Sequence, residues 1–210
     1  MLMISCLAIG CFSTKYLSHE EYLLHIPVPG PDRDRDRDRD PDPTDKLSIK
    51  KALLFVPQVT IDPPFNQLYF IYRTSDFQYL TDYYHSFMVS PEEQFHFALI
   101  KHLKQMTAFD LILSSPEMIK IKDTQTTLKL QTTISELYAD YRIRDYPQAR
   151  VSIHFSLTKI KPHGGKPIIV ADKTLSTAIA MKAKDTESLL LAWNKCFQEI
   201  LEQLLQQISH

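Results

Sequence analysis

Three blocks in the second half of the chain alternate apolar and polar residues with a period of two. Through residues 150–160, Val151, Ile153, Phe155 and Leu157 face one way and polar side chains the other. Residues 168–181 repeat the pattern with Ile169, Ala171, Leu175, Ile179 and Met181 on one face. In residues 126–143 Leu128, Leu130, Ile134 and Tyr138 share a face, while Leu137 and Tyr141 fall out of phase. That break predicts a bulge or twist near residue 136. Strict alternation over such lengths predicts antiparallel strands with one buried and one wet face, and "KPHGGKP" (161–167) predicts a hairpin turn between two of them.

Two other blocks carry the period of a helix. "SPEEQFHFALIKHLKQMT" (90–107) has Ser90 as N-cap, Pro91 at the first helical position and Glu93 completing a capping box. Phe95, Leu99, His102 or Leu103, and Met106 make its apolar stripe. Residues 185–208 form a second helix, capped by Asp185 or Thr186, with Leu189, Trp193, Cys196, Phe197, Ile200, Leu204 and Ile208 along one side. Cys196 therefore reads as a small buried apolar residue and not as a nucleophile. Shorter β-prone runs precede the first helix: "YLLHIPV" (22–28), "KALLFVPQVTI" (51–61) interrupted by Pro57, "QLYFIYR" (67–73) and "FQYLTDYYHSFMV" (77–89), with "FDLIL" (109–113) after it. The sum is a single α+β domain, a mainly antiparallel or mixed sheet with two amphipathic helices packed on it.

Residues 29–45, "PGPDRDRDRDRDPDPTD", interrupt this order. Alternating Asp and Arg between prolines bury too little apolar area to offset chain entropy, so the stretch reads as a linker. Its arginines do not make a nucleic-acid arm, because the interleaved aspartates cancel their field. The whole chain, 210 residues with a net charge of −1, has no basic excess of the kind nucleic-acid binding requires. No run of about 18 apolar residues occurs, as a membrane-spanning helix would need. The four glycines cannot build a phosphate loop, and Cys6, Cys11 and Cys196 form neither a disulfide framework nor a zinc spacing.

Eight histidines invite a search for chemistry, and none stands in HExxH or at ligand spacing with Cys or carboxylate. His96 and His102 are six apart on one helix, off a shared face. There is no GxSxG elbow. "HGGK" (163–166) reads as a turn, and Lys159, Lys161 and Lys166 around it as a solvated tip. No catalytic residue, metal ligand or cofactor site is assigned. A small-molecule-binding or hydrolytic domain remains the alternative; it needs convergent polar groups in one pocket, and convergence of His85, His96 and Asp82 would favour it.

The N-terminus adds a second question. "MLMISCLAIGC" ends an apolar run at Ala8-Ile9-Gly10-Cys11. Small residues before a cysteine fit a lipobox, with cleavage between Gly10 and Cys11 and acylation of Cys11. Residues 1–10 contain no Lys or Arg, so either the natural start lies upstream or the run is a plain apolar terminus. The expected organisation is then a lipoprotein signal (1–11), an N-terminal segment with a short strand (12–28), the linker (29–45) and the α+β domain (46–210).

Over residues 20–208 this arrangement resembles the ABC-type transport auxiliary lipoprotein family, which includes the lipoprotein of the paraquat-inducible system. The resemblance is carried by a strand ending in Tyr72-Arg73, then Tyr84, Phe87 and Pro91 in a Tyr-x-x-Trp-x-x-x-Pro-like element leading into the first helix. Phe87 stands where that family tends to have Trp, and the Asp-Arg run is foreign to its pattern. The resemblance implies a periplasmic lipoprotein of a Gram-negative bacterium, held by Cys11 in the inner leaflet of the outer membrane. Its partners would be ABC and mammalian-cell-entry (MCE) components of a lipid transporter, and self-association into a ring is expected. It implies binding and bridging without catalysis. An assembly factor for another outer-membrane machine would differ only in partner.

Overall fold

The computed structural model describes residues 18–27, 52–105, 109–115, 126–161 and 165–209. The proposed lipobox with Gly10 and Cys11, and the linker at 29–45, lie outside these residues. Strands β1 (Glu20–Tyr22), β2 (Ala52–Phe55), β3 (Thr60–Ile61), β4 (Tyr69–Arg73) and β5 (Tyr79–Phe87) precede helix α1 (Pro91–Gln105). Strand β6 (Phe109–Leu113) follows, then three long strands, β7 (Thr127–Asp140), β8 (Gln148–Ile160) and β9 (Ile168–Ala180), and helix α2 (Thr186–Ser209). The described strands form one sheet, as the α+β reading requires.

Strand β7 is its spine. Along one edge it pairs antiparallel with β8 from end to end, and β8 pairs in turn with β9. The other edge is shared by three short strands in succession, all parallel to it: β2 at Thr127–Lys129, β3 at Thr133–Ile134 and β4 at Ala139–Asp140. Strand β6 extends the sheet beyond β2, while β5 and then β1 extend it beyond β4. Alternation identifies the antiparallel meander because its strands are long enough to display a period. The parallel pairs leave no such mark, because their strands are too short to display a period.

The bulge expected near residue 136 lies between Ile134 and Glu136, and it corrects the face assignment. Ile134 opposes Ile153, but Leu137 then opposes Val151, so Leu137, Ala139 and Tyr141 join the buried face. Tyr138 is turned to the opposite face, where Phe65 stacks on it with ring centroids 5.7 Å apart. A second shift, between Leu157 and Thr158, leaves Ile169 exposed although its spacing had placed it inward. The apolar run of 51–61 is two strands, β2 and β3, on either side of Pro57, and the strand expected at 22–28 is only Glu20–Tyr22.

Both helices lie over one face. Helix α2 packs on β8 and β9 and touches α1. Trp193 is fully buried, 5.1 Å from Phe70 and 5.4 Å from Phe87, and Phe197 meets Phe95 of α1 at 5.1 Å. Cys196 is also buried, its Sγ directed at the Ala149 carbonyl, and burial pushes its thiol up to about 12. Asp185 caps α2 by accepting the Ser188 amide at 2.7 Å. At α1 the Ser90 carbonyl takes the Gln94 amide, but the side-chain capping box with Glu93 does not form. Gln94 instead donates to the Val89 carbonyl and accepts the Leu24 amide at 2.6 Å. Asn194 of α2 accepts the His25 amide at 2.8 Å. Side-chain amides of the two helices thus strap residues 24–25 across them, over a cleft of 240 Å³ lined by Ile26, Phe97 and Lys101 among others.

Candidate functional site

Two polar networks occupy opposite faces of the sheet at one end. Strand periodicity puts Phe70 and Tyr72 on the helix-covered face and Arg73 on the other. Asp82 opposes Phe70 across the β4–β5 pair, and three residues between Asp82 and Ser86 have no partner on β4. That irregularity is a bulge in β5, which turns the Tyr84 amide toward the Asp82 carboxylate. Asp82 then accepts hydrogen bonds from Tyr72 Oη at 2.5 Å and the Tyr84 amide at 2.9 Å, and it pairs with His85 Nδ1 at 2.6 Å. Burial pushes the Asp82 carboxyl up, but these hydrogen bonds outweigh it and hold the group below its ordinary range. Burial and the same carboxylate push the Tyr72 hydroxyl up, and burial raises Tyr141, 5.2 Å from Tyr72, to about 12. The His85 ring is tilted against Tyr22 and stacked on Phe70.

Asp82 takes two of these partners on Oδ2 and one on Oδ1, and among the described residues its partners include no serine, threonine or cysteine hydroxyl or thiol. Ser86 Oγ is bonded to His19 Nε2 at 3.0 Å. His96 does not join the network: it is buried on α1, its Nδ1 has no hydrogen-bond partner, and burial lowers its pKa. Asp82 and His85 therefore meet, but the threefold convergence with His96 that would favour the hydrolytic alternative does not occur. His102 is buried as well, its Nδ1 bonded to the Ala98 carbonyl at 2.8 Å. Among the described residues no group of three His, Cys, Asp or Glu could hold a metal ion.

On the opposite face stands a chain of alternating charges. Asp140, at the end of β7, receives Arg142 through Nη2 at 2.7 Å and Nε at 3.0 Å. Arg142 Nη1 also reaches Asp76 at 2.7 Å, and Arg73 lies 3.8 Å from the same carboxylate. Arg150 approaches Asp140 from the other side, its Nε 3.3 Å from Oδ2 and without a hydrogen bond of its own. The Arg142 hydrogen bonds hold the Asp140 carboxyl below its ordinary range. Asp76, Asp140, Arg142 and Arg150 line a cleft of 280 Å³ with Ile143, Tyr146 and Gln148. The sequence reading missed it. Its only signal is the density of Asp and Arg through "ADYRIRDYPQAR" (139–150), and that density does not show which strand ends meet.

The motif positions fall as follows. Phe87 is buried against Phe70 and Trp193, and Pro91 is buried at the start of α1. Tyr72 belongs to the Asp82 network. Arg73 ends β4, bonds the Ser75 and Asp76 carbonyls and lies 5.4 Å from the centre of the Tyr79 ring. Tyr84 is half exposed and contributes only its amide to Asp82.

No family model and no curated protein matches the sequence. Solved structures do match. A Xanthomonas campestris protein assigned to family DUF330 superposes with a TM-score of 0.60, covering 74% of this chain and 83% of its own at 13% identity. The crystal structure of an uncharacterized protein gives a TM-score of 0.57 over 75% of this chain and 92% of its own, at 18% identity. The lipoprotein GNA1162 from Neisseria meningitidis reaches a TM-score of only 0.29 at 11% identity, over 75% of this chain and 98% of its own. The first two likenesses show a shared fold. The third is too distant to carry an argument.

Proposed function

We propose that the chain is a periplasmic lipoprotein, anchored by acylated Cys11 to the inner leaflet of the outer membrane and auxiliary to an ABC/MCE-type lipid transport system. It acts by binding and bridging. The observation that carries this reading is the placement of the family-like motif. The strand ending in Tyr72-Arg73, the buried Phe87 and the helix-opening Pro91 form one continuous unit, packed on Trp193 of the last helix. The fold shared with the DUF330 protein, over most of both chains, supports it. In this reading the acyl chains on Cys11 attach the domain, each buried CH₂ contributing about 0.8 kcal/mol. The linker at 29–45 gives the domain reach from that anchor, and the domain contacts the transporter and further copies of itself.

Affinity purification of the tagged chain from detergent extracts of a Gram-negative host carrying the whole operon tests the partner assignment. MCE and ABC components should co-purify, and the soluble chain should run as a multimer by light scattering. A strict monomer that brings down neither component would refute it, and recovery of another outer-membrane machine would reassign the partner.

A further inference from the structure

Residues 19–26 lie between Cys11 and the linker, and they are docked on the domain. Glu20–Tyr22 pair as β1 with His85, Ser86 and Phe87 of β5, at the edge of the sheet. His19 Nδ1 donates to the Tyr83 carbonyl at 3.1 Å, and its Nε2 takes the Ser86 hydroxyl at 3.0 Å. The Tyr22 carbonyl accepts the Met88 amide at 2.9 Å, and the Tyr22 ring lies 5.8 Å from that of Phe70. Beyond Tyr22 the strand ends, and the Leu24 and His25 amides go to the side chains of Gln94 on α1 and Asn194 on α2.

The hold is light. No residue from 18 to 27 is buried: Tyr22, Leu24 and Ile26 are half-buried against the core, and Leu23 is 53% exposed. The 240 Å³ cleft separates Ile26 from Phe97 and Lys101 of α1. The hydrogen bonds are those of a three-residue edge pairing and of side-chain clasps, bonds of a kind that water also offers. A segment held this way opens at a fraction of the free energy of global unfolding. Opening it changes the geometry of attachment. Cys11 and His19 are eight residues apart, at most about 28 Å of extended chain, whereas Cys11 and Ala52, the first residue of β2, are 41 apart, at most about 140 Å.

We propose that residues 19–26 are a releasable strap that gives the protein two tether lengths. Docked, the strap keeps the β1–β5 edge of the domain within the short span of the anchor point. Lifted, it adds the linker to the tether, and the same domain reaches a partner farther from the membrane. The composition of 29–45 suits both states, since it has no apolar face to lose in either. The anchor point rests on the lipoprotein reading, and the strap itself does not.

Hydrogen exchange of the full chain as Cys11→Ser tests the strap without the anchor. The Leu24, His25 and Met88 amides should exchange about a hundredfold faster than those of β8. In Gln94→Ala/Asn194→Ala the Met88 amide, whose acceptor is Tyr22, should exchange about tenfold faster again, with β8 exchange unchanged. Tyr22→Ala loosens the strap from the sheet side and should give the same result. Strap amides that exchange in step with β8, or a Met88 amide that neither variant accelerates, would overturn the proposal. Tether length is read with the attachment made artificially. The Cys6→Ser chain is coupled through Cys11 to maleimide headgroups of phosphatidylcholine vesicles, Cys196 being buried, and energy transfer is followed from Trp193, the one tryptophan, to dansyl headgroups. The mean span of a flexible tether grows as the square root of its length, so it should roughly double on release, and transfer should fall in Gln94→Ala/Asn194→Ala. Equal transfer in both chains would overturn the two lengths. Neither measurement depends on whether cells acylate Cys11, so the lipoprotein reading stands or fails separately.

Discussion

The two polar networks share an end of the sheet and differ in almost everything else. The Tyr72–Asp82–His85 network lies on the helix-covered face, its carboxylate takes three partners, and aromatic rings stack against it. The Arg73–Asp76–Arg142–Asp140–Arg150 chain lies on the open face and ends in arginines, and its last four members line a cleft. A network whose carboxylate is shared by three partners against the core stabilises the fold. An open chain contributes little to stability, because water screens its ion pairs.

Substitutions should separate the two in a definite order. Phe70→Ala should cost most, about 3–5 kcal/mol in urea unfolding, because its ring supports both Trp193 and His85. Asp82→Ala should cost about 2–3 kcal/mol, since it strands the Tyr72 hydroxyl and the Tyr84 amide. Tyr72→Phe should cost about 1 kcal/mol by the same assay, as it removes one of those bonds. Arg142→Gln should lower the urea midpoint less than Asp82→Ala does, and added salt should shrink the difference, because its ion pairs face water. A larger effect for Arg142→Gln than for Asp82→Ala would invert the comparison.

Acid should distinguish the networks too. Both Asp82 and Asp140 are held below the ordinary carboxylate range in the fold. A depressed folded pKa gives stability that is complete above the unfolded value, about 3.9, and is lost as pH falls through the folded value. Thermal melting from neutral to acid pH should therefore decline below about pH 4. Asp82→Asn should flatten that decline at any ionic strength, and Asp140→Asn mainly at low salt.

The half of the molecule that the sequence made legible is the half with long periods. The meander β7–β8–β9, the stripe of α2 with Trp193 and Cys196, and the break near residue 136 all follow from counting positions. The sense of the break did not follow. Whether Leu137 or Tyr138 turns inward depends on which residue the bulge skips, and Tyr138 is apolar enough to suit either face. Parallel docking of β2, β3 and β4 along β7 was not legible, because two to five residues show no period. The site was hidden for a related reason. Asp82 and His85 are three apart and could be suspected, whereas Asp76, Asp140, Arg142 and Arg150 meet only once the strand ends are aligned.

The lipoprotein reading rests on Cys11, and one measurement addresses it directly. The gene, expressed with its native upstream DNA in a Gram-negative host fed labelled palmitate, should yield labelled protein in the outer-membrane fraction, and Cys11→Ser should be unlabelled. Unlabelled wild-type protein that stays out of the membrane fraction would contradict the account.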